Sequence, residues 1–256
     1  MKQAIRHNRI IELVKLHGYI STEELVAELD VSPQTIRRDL NELAAKNEIR
    51  RHHGGAASPS TSENSDYASR KTLLCQEKEW VAKCVAQQIP NGSSLFIDIG
   101  TTAEAVARAL LDHENLRIVT NNLNAAHILM EKENFQIIIA GGGLRPDGGI
   151  IGEATMEFIS QFRLDFGILG ISAIDHDGSL LDYDYHEVQV KRTIIESSRT
   201  SILVTDHSKF SRRAMVRLGP LTMFDYLFTD RPLPAEIAAM VENTNLVVKV
   251  CPCHQV

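Results

Sequence analysis

The chain has 256 residues, of which 43% are hydrophobic and 23% charged, and its net charge is −6. These are ordinary values for a soluble globular protein, and no apolar run approaches the roughly 18 residues that span a membrane. The N-terminal segment lacks the apolar stretch and small-residue cleavage site of a signal peptide, so we expect a cytoplasmic protein. Four scattered cysteines are too few for a disulfide framework.

The charge is unevenly distributed along the chain. Residues 1–57 hold 9 basic and 8 acidic side chains, whereas the remaining residues hold 18 and 25. An acidic body that carries a near-neutral head with clustered arginines is compatible with a small DNA-contacting module.

A serine-rich segment separates these two parts. Residues 58–69 contain five serines, one proline and no large aliphatic side chain, so they bury too little apolar surface to offset the entropy lost on ordering. We predict a linker over residues 58–69. It would join a DNA-binding domain of residues 1–57 to an effector-binding and oligomerisation domain of residues 70–256.

The sequence pattern of the first domain predicts three helices followed by a basic strand-and-turn segment. Ser21–Glu24 matches a capping box at the start of the second helix. Ser32 and Pro33 are the residue types preferred at the cap and first position of a third helix. Its buried face would comprise Ile36, Leu40 and Leu43. Together with a wing over residues 49–55, this pattern predicts a winged helix-turn-helix.

The exposed positions of the third helix and the wing carry side chains suited to DNA. Arginine and glutamine can each bond a base edge through two hydrogen bonds, and serine and threonine hydroxyls suit phosphate. The predicted DNA-contacting residues are Ser32, Gln34, Thr35, Arg37, Arg38, Asn41, Arg51 and His53. On spacing alone, a three-helix unit that binds a protein through a solvated basic face is the alternative.

The second domain alternates short apolar strands with helical patterns. This order predicts an α/β fold with a doubly wound, largely parallel sheet covered on both faces. The strand candidates are Ser94–Ile99, Leu116–Thr120, Phe135–Ala140, Phe166–Ile171, Ser201–Thr205, Phe224–Thr229 and Leu246–Val250. The preceding segment, Lys71–Ile89, is predicted to be helical.

Polar residues and glycines recur directly after these strands, where ligands bind in a doubly wound sheet. Gly100–Thr102 leads into a helix, so free N–H groups, hydroxyls and the positive dipole end would meet there as an anion site. Neither a Walker A loop nor G-x-G-x-x-G is present, which disfavours a nucleotide. The predicted effector-binding residues are Asp98, Gly100, Thr101, Thr102, Asn121, Lys191 and Lys209.

Each of these features also has an ordinary interpretation. Glycines at strand ends are common in turns, and any one lysine could be a solvated surface charge. Arg145 is a further cation, on a loop that could close over the site, and whether it joins the site stays open.

Several of these segments resemble the DeoR family of bacterial repressors. Val31–Leu43, followed by Arg51–Ala56, looks like the N-terminal signature of that family. The resemblance continues through residues 97–102, 117–124, 148–155, 158–172 and 206–210. It implies a repressor that binds operator DNA as a homodimer or homotetramer, with glycerol 3-phosphate as its effector and no cofactor.

The same resemblance implies a sensor domain similar to ribose-5-phosphate isomerase, with the threonine loop and the lysine after the fourth strand in ligand contact. One segment departs from the family pattern. Many members read Gly-Ala-Asp-Gly where this chain has Gly170–Ala173. The missing carboxylate would leave fewer ligand hydroxyls to bond, as a short polyol phosphate requires.

Two other functions compete with a repressor. A sugar-phosphate isomerase with a regulatory head needs a general base, and Asp98, Asp165, Glu187 and Asp206 are available without forming a paired constellation. A module whose sheet domain only forms oligomers is the third possibility. Cys251–His254 could suggest a metal, but two cysteines and one histidine at a chain end are more often a tail, so we predict no metal and no catalytic residue.

Overall fold

The computed structural model describes residues 2–17, 19–52, 54–57, 67–210 and 212–251. Its N-terminal domain has three helices and a three-stranded antiparallel sheet in the order β1-β3-β2. The elements are α1 (Gln3–His17), β1 (Tyr19–Ser21), α2 (Thr22–Leu29), α3 (Pro33–Ala45), β2 (Arg50–His52) and β3 (Gly55–Ala57). This is the predicted winged helix-turn-helix. No helix in the described ranges is long and apolar enough to cross a bilayer.

Both predicted helix starts are confirmed. Ser21 Oγ accepts from the Glu24 backbone N–H at 3.1 Å, and the Glu24 carboxylate accepts from the Ser21 N–H at 2.7 Å. Ser32 Oγ caps α3 by accepting from the Thr35 N–H at 3.2 Å. The predicted inner face of α3 is fully buried and comprises Ile36, Leu40 and Leu43.

An ion pair inside this domain fixes α3 against α1. Asp39 is 1% exposed, and its carboxylate accepts from Arg6 Nε at 2.5 Å and lies 3.0 Å from His7 Nε2. Burial alone would raise the pKa of Asp39, but the bonds from Arg6 and His7 outweigh it and lower that pKa. The two helices therefore share one buried charge cluster, which sets the direction of α3.

The second domain is built on a seven-stranded parallel sheet, as the alternating pattern predicted. Its strands are β4 (Ser94–Ile97), β5 (Arg117–Thr120), β6 (Gln136–Ile139), β9 (Leu164–Gly170), β12 (Ser198–Val204), β14 (Tyr226–Thr229) and β15 (Val247–Val250). Their spatial order is β15-β14-β12-β9-β4-β5-β6. The chain starts at β4, winds outward to β6, and then returns to β9 on the other side of β4. The gap between the carboxyl ends of β4 and β9 is therefore the topological switch point of the sheet.

Helices cover both faces of this sheet, and two small sheets flank it. The helices are α4 (Tyr67–Thr72), α5 (Cys75–Ala86), α6 (Thr101–Ala109), α7 (Leu123–Leu129), α8 (Glu153–Ser160), α9 (Tyr185–Glu196) and α10 (Ala235–Val241). The short strands are β7 (Gly143–Leu144), β8 (Ile150–Ile151), β10 (Ala173–Ile174), β11 (Ser179–Asp182) and β13 (Val216–Pro220). Two separate apolar clusters, one on each face of the sheet, form the core.

The structure corrects two features of the segment before the sheet. Residues 67–69, the end of the predicted linker, belong to α4, while residues 58–66 lie outside the described residues. The predicted helix over Lys71–Ile89 is interrupted between α4 and α5, where Leu74 has a φ of 52°. Lys78 of α5 donates to the backbone oxygens of Arg70 and Leu73, the latter at 2.6 Å. A lysine that binds the last carbonyls of a helix favours its end at that point.

The two domains touch. A cleft between them is lined by α1, β1 and α2 on one side and by Thr72 and Leu73 on the other. The ring of Tyr19, in β1, lies edge-on to the ring of His207 with their centroids 6.4 Å apart. His207 is held in turn by Asp230, whose carboxylate lies 2.5 Å from His207 Nδ1.

Candidate functional site

The outer face of α3 presents most of the predicted DNA-contacting side chains to solvent. Ser32, Gln34, Arg37, Arg38 and Asn41 are exposed, and Thr35 is half-buried beside Ser32. Arg38 is 79% exposed and pairs with Glu42 across one helical turn at 3.1 Å. A helix N-terminus flanked by polar side chains is the part of a recognition helix that meets base edges in the major groove.

The wing supplies a second basic element. Arg51 Nη1 donates to the backbone oxygen of Gly55 at 2.7 Å, which links β2 to the first residue of β3. The nearby charge of Arg37 contributes, after burial, to lowering the pKa of Arg51, so these two cations face the same region. The predicted contact at His53 lies outside the described residues.

The second candidate site is a small cavity of about 40 Å³ at the switch point of the parallel sheet. Gly100–Ala103, at the start of α6, form one wall, and Gly170–Ser172, after β9, form another. The other lining residues are Arg70, Ile99, Asp182, Glu187, Lys191, Val204 and Lys209. No side chain caps the N-terminus of α6, where Gly100 has a φ of 133°, so the first N–H groups of that helix remain free to bind a ligand.

A wider groove lies elsewhere, between α5 and α6. Its lining combines alanines with solvated side chains such as Glu79, Lys83 and Arg108. It lies away from the carboxyl ends of the strands, and we place the ligand site at the switch point.

One end of the cavity is an acidic cluster arranged around Lys191. The ammonium group is 1% exposed and donates to Asp98 at 2.5 Å; it also lies 3.0 Å from Glu187 and 3.8 Å from Asp182. Three carboxylates thus surround one buried cation. Burial would lower the pKa of Lys191, but the three carboxylates outweigh it and raise that pKa, so the lysine is charged.

These three carboxyl groups are not equivalent. Burial, and next the charge of Glu187, raise the pKa of Asp182 to about 7. Burial also raises the pKa of Asp98, the direct partner of Lys191. For Glu187, Lys191 and Arg145 outweigh the effect of burial, and the pKa falls. A cluster with more carboxylates than cations holds a shared proton near neutral pH, and the raised pKa of Asp182 agrees with this.

Arg145 lies at the rim of this acidic cluster. Its guanidinium donates to Glu187 at 2.8 Å and to Asp184 at 3.1 Å, and it also binds Asp147. It therefore orients a residue of the cavity wall, with most of its hydrogen-bonding capacity used by carboxylates.

Ser172 occupies the position where many family members carry an aspartate. Its hydroxyl donates to Asp182 Oδ1 at 2.6 Å. An aspartate here would bring another negative charge against Asp182, whereas the serine hydroxyl supplies a hydrogen bond to it.

The other end of the cavity is cationic. Lys209 lines it from a short 3-10 turn, His207–Lys209, whose cap is Asp206. Burial, and next the charge of Arg212, lower the pKa of Lys209 to about 7. Lys78 lies nearby, 5% exposed, and acts on the same Asp206 carboxylate as Lys209. This end therefore holds more positive than negative charge.

The structure brings most of the predicted effector residues together. Gly100, Thr101, Thr102, Lys191 and Lys209 line the cavity, and Asp98 lies directly behind Lys191. Asn121 is fully buried, donates to the Ile150 backbone oxygen at 3.2 Å, and does not line the cavity.

Three residues of this region were not identified from the sequence. Asp182 lies at the end of the short strand β11, and Arg70 lies between the predicted linker and the predicted helix, where no role was assigned to it. Arg212 lies two residues after the Asp206–Phe210 segment. In that region only Asp206 and Lys209 were considered as functional residues. The position of Asp206 and Lys209 after a strand and the resemblance to a family motif at residues 206–210 both pointed to this region.

Comparison with known proteins decides the family. A model of the DeoR-like helix-turn-helix domain matches residues 6–62, and a model of the DeoR C-terminal sensor domain matches residues 75–231. The chain belongs to the DeoR family. The resemblance noted in the sequence is thereby confirmed across both parts of the chain.

Relatives within the family match nearly the full length. The chain is 72% identical to a glycerol-3-phosphate regulon repressor of Haemophilus influenzae over 90% of both chains. It is 64% identical to the Escherichia coli protein of the same name, over 98% of this chain and all of that one. It is 40% identical to the Escherichia coli repressor CsqR, over 95% and 94% of the two chains.

Solved structures with a similar fold include ribose-5-phosphate isomerase from Methanocaldococcus jannaschii, with 14% identity and a TM-score of 0.38 over 52% of this chain and 53% of that one. Chaetomium thermophilum eIF2B delta has 12% identity and a TM-score of 0.47 over 61% and 56%.

Proposed function

We propose that this protein is a transcriptional repressor that binds operator DNA through α3 and the wing and releases it when glycerol 3-phosphate occupies the switch-point cavity. It would act in the cytoplasm as a homodimer or homotetramer. The observation that carries the proposal is the high identity to two repressors that are named for the glycerol-3-phosphate regulon. Paired heads would read repeated half-sites whose spacing follows from how the sensor domains pack.

The cavity supports an effector of this chemistry. Glycerol 3-phosphate has two hydroxyl groups at one end and a phosphate dianion at the other. The acidic cluster at Glu187 and Asp182 offers acceptors for hydroxyl groups. The free N–H groups of α6, the hydroxyls of Thr101 and Thr102, and Lys209 offer donors for phosphate. Lys191 would position the carboxylates and bind a hydroxyl between them.

The first test measures DNA affinity and its response to the ligand. We would select duplexes from a random library on the full-length protein and measure affinity for the selected sequence with and without ligand. We expect glycerol 3-phosphate to weaken binding by about 5- to 150-fold, the usual range for such coupling. Glycerol at the same concentration should have no effect, since it leaves the cationic end unfilled. If glycerol releases the DNA as well as its phosphate does, or if neither does, the proposed effector is wrong.

Two arginine variants, one on α3 and one control in the sensor domain, test whether α3 contacts DNA. Arg37→Ala removes an exposed cation of α3 and should weaken binding to the selected duplex by about 1–3 kcal/mol. Arg199→Ala removes an arginine of the sensor domain that is 63% exposed and should leave it unchanged. Equal affinity of both variants and the wild type would remove α3 from the interface.

One observation favours a second candidate, a sugar-phosphate isomerase. Asp182 lines the cavity, and its pKa of about 7 is near the value that a general base needs at neutral pH. Incubation with ribose 5-phosphate, with ketose formation followed over time, tests it. Turnover that disappears in Asp182→Asn would establish an enzyme, and a wild-type rate equal to the background would exclude this reaction.

A further inference from the structure

The turn that carries Lys209 continues into a second buried cation, Arg212. Arg212 is 4% exposed, and its backbone N–H bonds the Lys209 carbonyl oxygen at 3.4 Å. The two residues are therefore joined by the backbone as well as by proximity. Neither the family models nor the names of the relatives assign a role to this arginine.

Arg212 lacks a partner in the part of the chain that the structure describes. Its Nη1 is buried without a hydrogen bond, and no carboxylate lies within ion-pair distance of it. The other buried lysines and arginines among the described residues have partners: Lys191 lies among three carboxylates, Arg6 binds Asp39, and Lys78 binds two backbone oxygens. A buried charge without a partner is costly, so a protein that retains one has a use for it.

The surroundings of Arg212 are too positive to supply that partner. The charges that act most strongly on Lys209 are those of Arg212 and Asp206, followed by Lys78 and Arg70. Asp206 is already engaged, because it binds the Ser208 backbone and hydroxyl and faces Lys78 and Lys209. Lys209 thus lines one end of the cavity, and Arg212, whose Nη1 has no hydrogen bond, follows this turn without lining the cavity itself.

We propose that Arg212 and Lys209 together form the anion anchor of the cavity, which binds a phosphate dianion of a small metabolite between this turn and the N-terminus of α6. The phosphate supplies the acceptors that Arg212 lacks and the negative charge that the cationic end lacks. Lys191, in contrast, serves the hydroxyl end. This inference deepens the proposed function and rests on it only for the identity of the metabolite.

The first experiment is calorimetric titration of the full-length protein with glycerol 3-phosphate. Arg212→Gln should raise the dissociation constant by about 10- to 100-fold, the usual loss for a charge-assisted hydrogen bond. Arg213→Gln is the matched control, because Arg213 is the next residue in the chain and is exposed. It should bind like the wild type. Wild-type affinity in Arg212→Gln would overturn the proposal.

Thermal unfolding with inorganic phosphate tests the anion anchor independently of the proposed effector. If the wild type does not bind glycerol 3-phosphate, the proposed function fails, yet phosphate should still raise the Tm of the wild type and of Arg213→Gln above its value in chloride at equal ionic strength. Arg212→Gln should show no such rise. Equal stabilisation of all three proteins, or stabilisation of none, would overturn the anchor itself.

A further variant distinguishes a binding role from a structural one. Arg212→Met keeps the unbranched stem of the side chain and removes the guanidinium charge that has no partner. We expect its Tm without ligand to equal or exceed that of the wild type, with no rise on adding phosphate. A lowered Tm with the phosphate response retained would show that Arg212 only supports the fold.

Discussion

Lys191 and Lys209 line the same cavity and differ in how their charges are matched. Lys191 has three carboxylates around one ammonium, and its pKa is raised. Lys209 has cations for neighbours, and its pKa is lowered to about 7. The comparison teaches that a lysine in a cavity wall is not by itself a phosphate ligand. We expect the end where the cation is surrounded by carboxylates to stabilise the fold, and the end where cations outnumber carboxylates to bind a charged ligand.

The variant with the largest expected effect removes Lys191, the cation that is surrounded by carboxylates. Lys191→Met leaves three buried carboxylates without their common partner, and we expect a loss of about 3–5 kcal/mol in the free energy of unfolding. Urea denaturation at pH 7 measures it. The loss should shrink at lower pH, where the carboxyl groups become protonated. A loss below about 1 kcal/mol at pH 7 would mean that the cluster does not stabilise the domain.

Removing Lys209, the cation at the other end of the cavity, should have the reverse effect on stability and binding. Lys209→Met should weaken glycerol 3-phosphate binding by about 10- to 100-fold without destabilising the fold. Because the folded-state pKa lies below that of the unfolded chain, Lys209 destabilises the protein fully below pH 7, and this effect disappears as the pH rises towards 10.5. Urea denaturation of the variant should therefore show its greatest gain in stability below pH 7. Destabilisation at pH 6 would contradict the contrast.

The pH dependence of wild-type binding sharpens the same contrast. The phosphate carries its second charge above a pKa of about 6, and Lys209 is charged below its pKa of about 7. We expect glycerol 3-phosphate affinity to peak between these values and to fall by at most about tenfold per pH unit above 7. Titrations from pH 5 to 9 measure this. An affinity that is flat from pH 7 to 9 would mean that the bound phosphate does not depend on the charge of Lys209.

The smallest expected effect lies at Ser172. Ser172→Ala removes the hydrogen bond to Asp182, which should cost about 0.5–1.5 kcal/mol and raise the pKa of that carboxyl group further. Since the folded-state pKa of Asp182 is raised, its contribution to stability is present at low pH and is lost as the pH rises to about 7. In the variant, urea denaturation should show this loss extending to higher pH. An unchanged profile would indicate that Ser172 does not influence the cluster.

Much of the architecture followed from local patterns in the sequence. The capping box at Ser21, the cap at Ser32 and all seven strands of the parallel sheet were predicted because each depends on residues close together in the chain. The position of Gly100–Thr102 at the start of a helix also followed from a local pattern, and its binding of an anion stays a prediction.

The charge state of the cavity could not be predicted in the same way. Lys191 finds its partners in Asp98 and Asp182, which come from different strands, and this requires the sheet to be assembled. Asn121 follows a strand as Asp98 does, yet it turns towards the β8 backbone, because position after a strand does not determine the direction of a side chain. The lack of a partner at Arg212 is visible only when all its neighbours are known.

The strand order also determines when the parallel sheet can form during synthesis on the ribosome. β4 must pair with β9, where Leu95 lies opposite Phe166, so the centre of the sheet waits for about 70 residues of further synthesis. At about 5–20 residues per second, that delay is roughly 4–14 s, and α9 with Lys191 arrives later still. The helix-turn-helix, whose apolar core lies within residues 10–56, can fold before then. A nascent chain therefore acquires its DNA-reading head before it can sense a metabolite.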